Sequence, residues 1–178
     1  MKRETKNWRV GCHVPYSPTA FHPNQLISPR QDFLQVLFFT RPEKTLIEKI
    51  SGLFSAMLMP AEIKVIFRHS AFNEQLLSPD QKLAVYRILQ EQCTNIIKYS
   101  FAKAVEINLA SSVMEFSMSI KDDGIGMPAG QSSHGIGLRN IRSRIAVFGG
   151  TLSVESAPGK GFLLSVGFPV GSDMLRPA

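Results

Sequence analysis

Cysteine is scarce in this chain. Cys12 and Cys93 lie far apart and match no metal-binding spacing, which excludes a disulfide scaffold or a zinc-finger-like site and predicts two free thiols in a reducing cytoplasm. Long apolar runs are missing too. The longest candidate, FLQVLFF at 33–39, falls well short of the ~18 residues that a membrane span needs, so none is expected. The N-terminus is basic (Lys2, Arg3, Lys6, Arg9) with no apolar stretch behind it, and no signal peptide is expected. A GxxxxGK motif closed by serine or threonine is absent, as is a serine–histidine or cysteine–histidine nucleophile pattern, which excludes a P-loop enzyme and those nucleophilic hydrolases. Acidic residues are outnumbered 14 to 20, a net charge of +6. The basic residues are scattered, without an arginine–aromatic platform or helix-turn-helix pattern, so nucleic acid is not the expected partner; the same excess would equally suit a polyanionic nucleotide.

What is present is a globular composition, 44% apolar and 19% charged over 178 residues, enough for one domain with an additional N-terminal segment. Residues 1–43 begin with scattered prolines (Pro15, Pro18, Pro23, Pro29) and read as irregular, a remnant of or linker from another region; 44–171 read as the domain and 172–178 as a tail. TLIEKISGLFSAM at 45–57 has helical periodicity, and IKVIFR at 63–68 alternates as a strand. Ser78-Pro79-Asp80 opens a long helix with a cap residue and a first-turn proline, running to about Ser100. Strands follow at 105–109 and 114–122. A glycine-rich loop leads to a helix from Leu138 to about Phe148, stopped by Gly149-Gly150, and strands at 151–156 and 162–168 flank a Pro158–Gly161 turn. This order predicts an α/β (α+β) two-layer sandwich, a mixed sheet with its helices packed on one face.

Two stretches carry the chemistry. In MEFSMSIKDDGIGMP, 114–128, Met114, Phe116, Met118 and Ile120 mark the buried face of a strand, and the same count puts Asp122 on that face. A carboxylate pointing inward needs a hydrogen-bond donor, and Gly124 and Gly126 beside it allow a sharp turn and close approach of a ligand. In YRILQEQCTNIIKYS, at about 100° per residue, Val85, Ile88, Leu89, Ile96 and Ile97 form an apolar face. Gln92 falls on that face without evident reason. Glu91, Asn95 and Lys98 cluster on the adjoining stripe, where an acid, an amide oxygen and an ammonium could activate a hydroxyl, ligate a hard cation and neutralise phosphate. By itself such a stripe reads first as a solvated helix edge with one Glu–Lys contact. Gly135 and Gly137 precede a helix start whose free N–H groups attract phosphate.

Taken together these stretches resemble sensor histidine kinases. YRILQEQCTNIIKY is similar to their N box, Glu-x-x-x-Asn with a following Lys; KDDGIGM is similar to the first glycine box; HGIGLRNIRSRIAVFGGTLSVESAPGKG is similar to the second and its continuation. Order and spacing match over roughly residues 44–171, and GIGLRNIRSR is nearest the nitrate- and desaturase-sensor group, including PAS-linked kinases. The resemblance implies the Bergerat ATP-binding fold, shared with gyrase B, MutL and the large heat-shock chaperone. It implies an adenine amino group as the donor to Asp122, Asn95 as a ligand of Mg²⁺ that bridges phosphates, Lys98 on phosphate and Glu91 as the base-like residue beside the γ-phosphate. Gly124, Ile125 and Gly126 would bring backbone to the nucleotide. Residues 127–136 would form a short lid, with His134, Gly135, Ile136, Gly137 and Leu138 beside the triphosphate.

The chain also departs from that pattern. Kinases of this group carry a dimerising helical hairpin with a phosphoacceptor histidine followed by an acid, and none of His13, His22, His69 and His134 stands in such a context. Phe162 occupies a position where many relatives have a threonine. The implied function is the ATP- and Mg²⁺-dependent catalytic domain of a cytoplasmic two-component kinase, serving a histidine on another segment or chain and, through it, a response regulator. The alternative is a nucleotide-gated regulatory module of the anti-sigma type, binding ATP or ADP without phosphotransfer.

Overall fold

The computed structural model describes residues 44–128 and 135–170. The irregular segment 1–43, with Cys12, His13, His22 and FLQVLFF, the tail 172–178, and His134 with most of the expected lid lie outside the described residues.

Helix α1 (Leu46–Met57) starts at Thr45, whose hydroxyl accepts from the Glu48 N–H while the Glu48 carboxylate accepts from the Thr45 N–H, a reciprocal capping box. Strand β1 (Lys64–Ala71) follows, and then a short 3₁₀ turn. Helix α2 (Pro79–Asn95) has the same device, with Ser78 and Gln81 as the box and Pro79 in the first turn. Gln81 is buried because its Nε2 also donates to the Pro169 carbonyl at 2.9 Å, tying the helix start to the far end of the sheet. Strands β2 (Ala104–Ser111) and β3 (Glu115–Asp122), helix α3 (Ile136–Ala146), and strands β4 (Thr151–Ser156) and β5 (Phe162–Pro169) complete the order.

The five strands form one mixed sheet, β1-β2-β3-β5-β4, with β1 and β2 parallel and the other pairs antiparallel. One face of the sheet is apolar: Val105, Ile107 and Leu109 of β2, Phe116, Met118 and Ile120 of β3, and Leu164, Val166 and Phe168 of β5 are buried beneath the helices. Phe116 and Phe168 stack at its centre, ring centroids 4.7 Å apart. The opposite face carries polar residues such as Asn108 and Ser119, which hydrogen-bond across β2 and β3 at 3.1 Å. This is the two-layer arrangement expected from the element order.

Four local expectations are corrected. Met114 is not on the buried face but 76% exposed, because the Ser112 hydroxyl accepts from the Met114 and Glu115 N–H groups and closes a turn before β3 begins. Ile97 leaves the apolar face, 42% exposed, because α2 widens at Ile96–Ser100 into a π-helical turn that shifts the phase of the following side chains. Strand β1 runs on to Ala71, past the expected end at 68, so that His69 lies inside it, its ring 4.8 Å from that of Phe67. Helix α3 begins and ends two residues earlier than expected, since Gly135 takes the cap position and the Gly149 and Gly150 N–H groups close on Ala146 and Ile145.

Candidate functional site

A cleft of 570 Å³, within the range of small-molecule sites, opens between the end of α2, the end of β3 and the start of α3. The wall from α2 contributes Glu91, Thr94 and Asn95, all half-buried, and Lys98 and Tyr99 at the exposed rim. The π-helical turn that carries Lys98 ends at Phe101, whose φ of 54° reverses the chain. Its Ser100 hydroxyl donates to the Ile96 carbonyl at 2.8 Å and accepts from the Ala102 N–H, which fixes that reversal.

The floor is Asp122. The two-residue period of β3 carries it inward, register places it between Val105 and Phe162, and it is 4% exposed. Its Oδ1 accepts from the Gly124 N–H at 2.9 Å. Burial pushes its carboxyl above the ordinary carboxylate range; the Gly124 N–H offsets part of this, and the charge of Asp123 adds to it. The neighbouring Asp123 behaves oppositely. It is exposed, its Oδ1 accepts from the Ala104 and Lys103 N–H groups at 2.9 and 2.8 Å, and these bonds hold its carboxyl below the usual range. Adjacent aspartates thus take different roles by environment, one in the cleft and one tying the loop to β2.

Backbone close approach explains the glycines. A side chain on Gly124 would strike the Ser100 carbonyl, and Gly126, at φ 68°, faces the Ala157 carbonyl. Hydrogen bonds lock this loop: Ile125 N–H to Ser100 carbonyl at 2.8 Å, Gly159 N–H to Ile125 carbonyl at 2.7 Å, and Met127 N–H to Ser156 Oγ at 2.8 Å. Opposite, Gly135 caps α3 without a side-chain bond, so the first-turn N–H groups of residues that line the cleft have no capping side chain. Gly137 lies so close to α2 that a Cβ there would come within 2.5 Å of Glu91 Oε1 and 3.3 Å of Asn95 Nδ2.

Glu91, Asn95, Lys98, Asp122, Gly126, Gly135, Ile136, Gly137 and Leu138 therefore meet in one cleft. Gly124 and Ile125 stand behind it and shape the loop, and His134 lies outside the described residues. Thr94, Tyr99 and Ser100 also line the cleft and had no signal beyond proximity in sequence, and Met127, the first residue of the expected lid, lines it too; Phe162 is there because β5 pairs with β3, a non-local fact. Among the described residues no group of three or more histidine, cysteine, aspartate or glutamate side chains forms a metal cluster. Among them, too, no helix is long and apolar enough to cross a membrane.

Comparison with known proteins agrees with this geometry. The signal transduction histidine-protein kinase/phosphatase UhpB of Salmonella typhimurium is 31% identical over 115 residues, 65% of this chain and 23% of that protein. The chain spans less than a third of the length of the first curated relatives it matches. The histidine kinase domain of the blue-light activated kinase of Erythrobacter litoralis superposes with a TM-score of 0.55 at 21% identity, over 68% of this chain and 59% of that one. Full-length ShkA in complex with AMPPNP superposes with a TM-score of 0.58 at 18% identity, over 70% of this chain and 29% of that one. At such identities the superpositions speak for the fold, the Bergerat arrangement of a mixed sheet with helices on one face. A sequence profile matches residues 80–172, more than half of the chain, and on that match the chain belongs to the histidine kinase-, DNA gyrase B- and HSP90-like ATPase family.

Proposed function

We propose that this domain binds ATP with Mg²⁺ and acts as the phosphoryl-donating part of a cytoplasmic two-component sensor histidine kinase. Its γ-phosphoryl group would go to a histidine on a dimerising helical hairpin, in the same or another chain, and from there to a response regulator. The observation that carries this reading is Asp122: a carboxylate 4% exposed at the floor of a nucleotide-sized cleft, with one oxygen engaged by the Gly124 N–H. Its other oxygen would accept from the adenine amino group, which supplies the donor that burial demands.

The remaining roles follow from position. The first-turn N–H groups of α3 and the Lys98 ammonium would meet phosphate oxygens from opposite sides. Glu91, beside Gly137, would orient the attacking imidazole and take its proton. Asn95 fits a cation ligand: its Nδ2 is engaged by Gln92, so Oδ1 is the atom left for the cleft. With so few protein oxygens nearby, the ion would be held largely by phosphate. Bound Mg²⁺ would supply charge neutralisation between the phosphates. Two of the proteins named above, UhpB and the blue-light activated protein of Erythrobacter litoralis, are histidine kinases by their names, and that supports the reading further.

Specificity tests the adenine assignment. Guanine presents a carbonyl oxygen where adenine presents its amino group, so Asp122 would face an acceptor. ATP should raise the thermal stability of the chain at concentrations at least about tenfold below those at which GTP does. Equal protection by the two nucleotides would rule the assignment out.

A further inference from the structure

Gln92 is at odds with its surroundings. It lies on the apolar side of α2, 3% exposed, where a leucine or methionine would pack without bringing a polar group inside. Its Oε1 accepts from Asn95 Nδ2 at 3.0 Å, a pairing of neighbours three residues apart on one helix face. Its own Nε2 is buried and has no partner among the described residues. Native folds retain few such donors, so packing alone is a poor account of glutamine at this position. Gln92 also borders the cleft.

The consequence falls on Asn95. An asparagine amide can present either its oxygen or its nitrogen, and only the oxygen can ligate a hard cation. Asn95 is moreover the last α-helical residue before the π-helical turn, where the regular turn that would buttress it from the C-terminal side is lost. The tether comes from the preceding turn, and it is Gln92. We propose that Gln92 is a positioning residue, which holds the Asn95 amide by its nitrogen so that Oδ1 faces the nucleotide-bound Mg²⁺. This rests on the ATP- and Mg²⁺-binding reading above. Gln92 would act through Asn95 and not on the nucleotide or the metal itself.

The experiment is an ADP titration by calorimetry, with Mg²⁺ and with EDTA, on the unaltered chain, Gln92→Met, Asn95→Asp and the double variant. Gln92→Met removes both the tether and the unmet donor, so it should melt at or above the temperature of the unaltered chain. Its metal-free ADP affinity should be unchanged, while the gain in affinity from Mg²⁺ falls about three- to tenfold, the worth of one orienting hydrogen bond. On the Asn95→Asp background the same change should cost nothing, because a carboxylate presents oxygen whichever way it turns. Gln92→Leu should repeat the pattern, which separates it from a packing defect peculiar to methionine. An undiminished Mg²⁺ gain in Gln92→Met would overturn the proposal, as would equal losses with and without metal. Should the unaltered chain bind no ADP under either condition, the nucleotide reading itself falls and takes this inference with it.

Discussion

At the scale of single residues, the function proposed for Asp122 and the stability of the fold pull against each other. Its folded-state carboxyl lies above the unfolded one, chiefly through burial, so it favours the nucleotide-free fold below the ordinary carboxylate range. That contribution is lost as pH rises through the folded value, and at neutral pH the ionised group is a burden. Asp122→Asn keeps an oxygen for the Gly124 N–H and removes the charge. The nucleotide-free variant should therefore melt no lower than the unaltered chain at pH 7, and its advantage should shrink as the solution is acidified. Nucleotide affinity should move the other way. Replacing the acceptor proposed to face adenine by an amide should cost about 2–4 kcal/mol, roughly thirty- to a thousand-fold in affinity. For the unaltered chain the same linkage predicts that ATP binding weakens as pH falls through the raised Asp122 value. Calorimetry and melting curves at several pH values check both arms, and full ATP affinity in Asp122→Asn would remove Asp122 from the adenine site. Cys93 offers a contrast: burial pushes its thiol up to about 12, which makes it part of the core and not a nucleophile.

At the scale of elements, the close approach of α3 to α2 shapes the end of the cleft lined by Glu91 and Asn95. A Cβ at Gly137 would meet Glu91 Oε1, the far end of a side chain that can swing aside, and Asn95 Nδ2 beyond it. Alanine is also favoured over glycine within a helix, by about 0.5–1 kcal/mol. Gly137→Ala should therefore leave the melting temperature unchanged or raise it, and leave ADP affinity within a few-fold. Phosphoryl transfer should still drop by about tenfold or more, since misplacing a reacting group by about 1 Å is enough for that. A variant that transfers at the normal rate would show that Glu91 is not held in place by this contact. The same elements mark how far the sequence could be read. Strong periodicity and local capping chemistry, as at Ser78–Gln81 and in the Phe116–Asp122 alternation, were legible because they depend on neighbours in the chain. The exposure of Ile97 was not, because the widening of α2 after Asn95 breaks the 3.6-residue period on which the reading rests. Nor was the role of Gln92, which seemed an anomaly on the apolar face and gains sense only from its bond to Asn95. Phe162 in the cleft and the carbonyls of Ser100 and Ala157 against the glycines are contacts between distant segments, set by strand register and loop closure. The residues that would touch the nucleotide left a pattern in the sequence, whereas those that shape its surroundings through backbone left little.

At the scale of the whole molecule, the proposed function raises the question of which histidine would receive phosphate. Phosphoryl transfer of the proposed kind relies on positioning and charge neutralisation, and the groups proposed for both line the cleft: Glu91, Asn95, Lys98 and the N-terminus of α3. A nucleophile needs an imidazole free to enter that space with an acid to orient its ring. His69, the histidine among the described residues, sits within a β-strand with its ring tilted against that of Phe67. In sequence, none of His13, His22 and His134 is followed by an acidic residue. The expected outcome is that this 178-residue chain, incubated alone with γ-labelled ATP, acquires no acid-labile label, but labels a separately prepared dimerising hairpin from a related kinase. The label on the hairpin should vanish with Glu91→Ala or Asn95→Asp, while Asp123→Asn, which alters the loop tie outside the cleft, leaves most of it. Acid-labile label on the isolated chain would overturn the assignment of the acceptor to another segment. ATP binding without transfer to any hairpin would instead favour a nucleotide-gated regulatory module, in which the cleft serves to change what the protein binds and not to pass phosphate on.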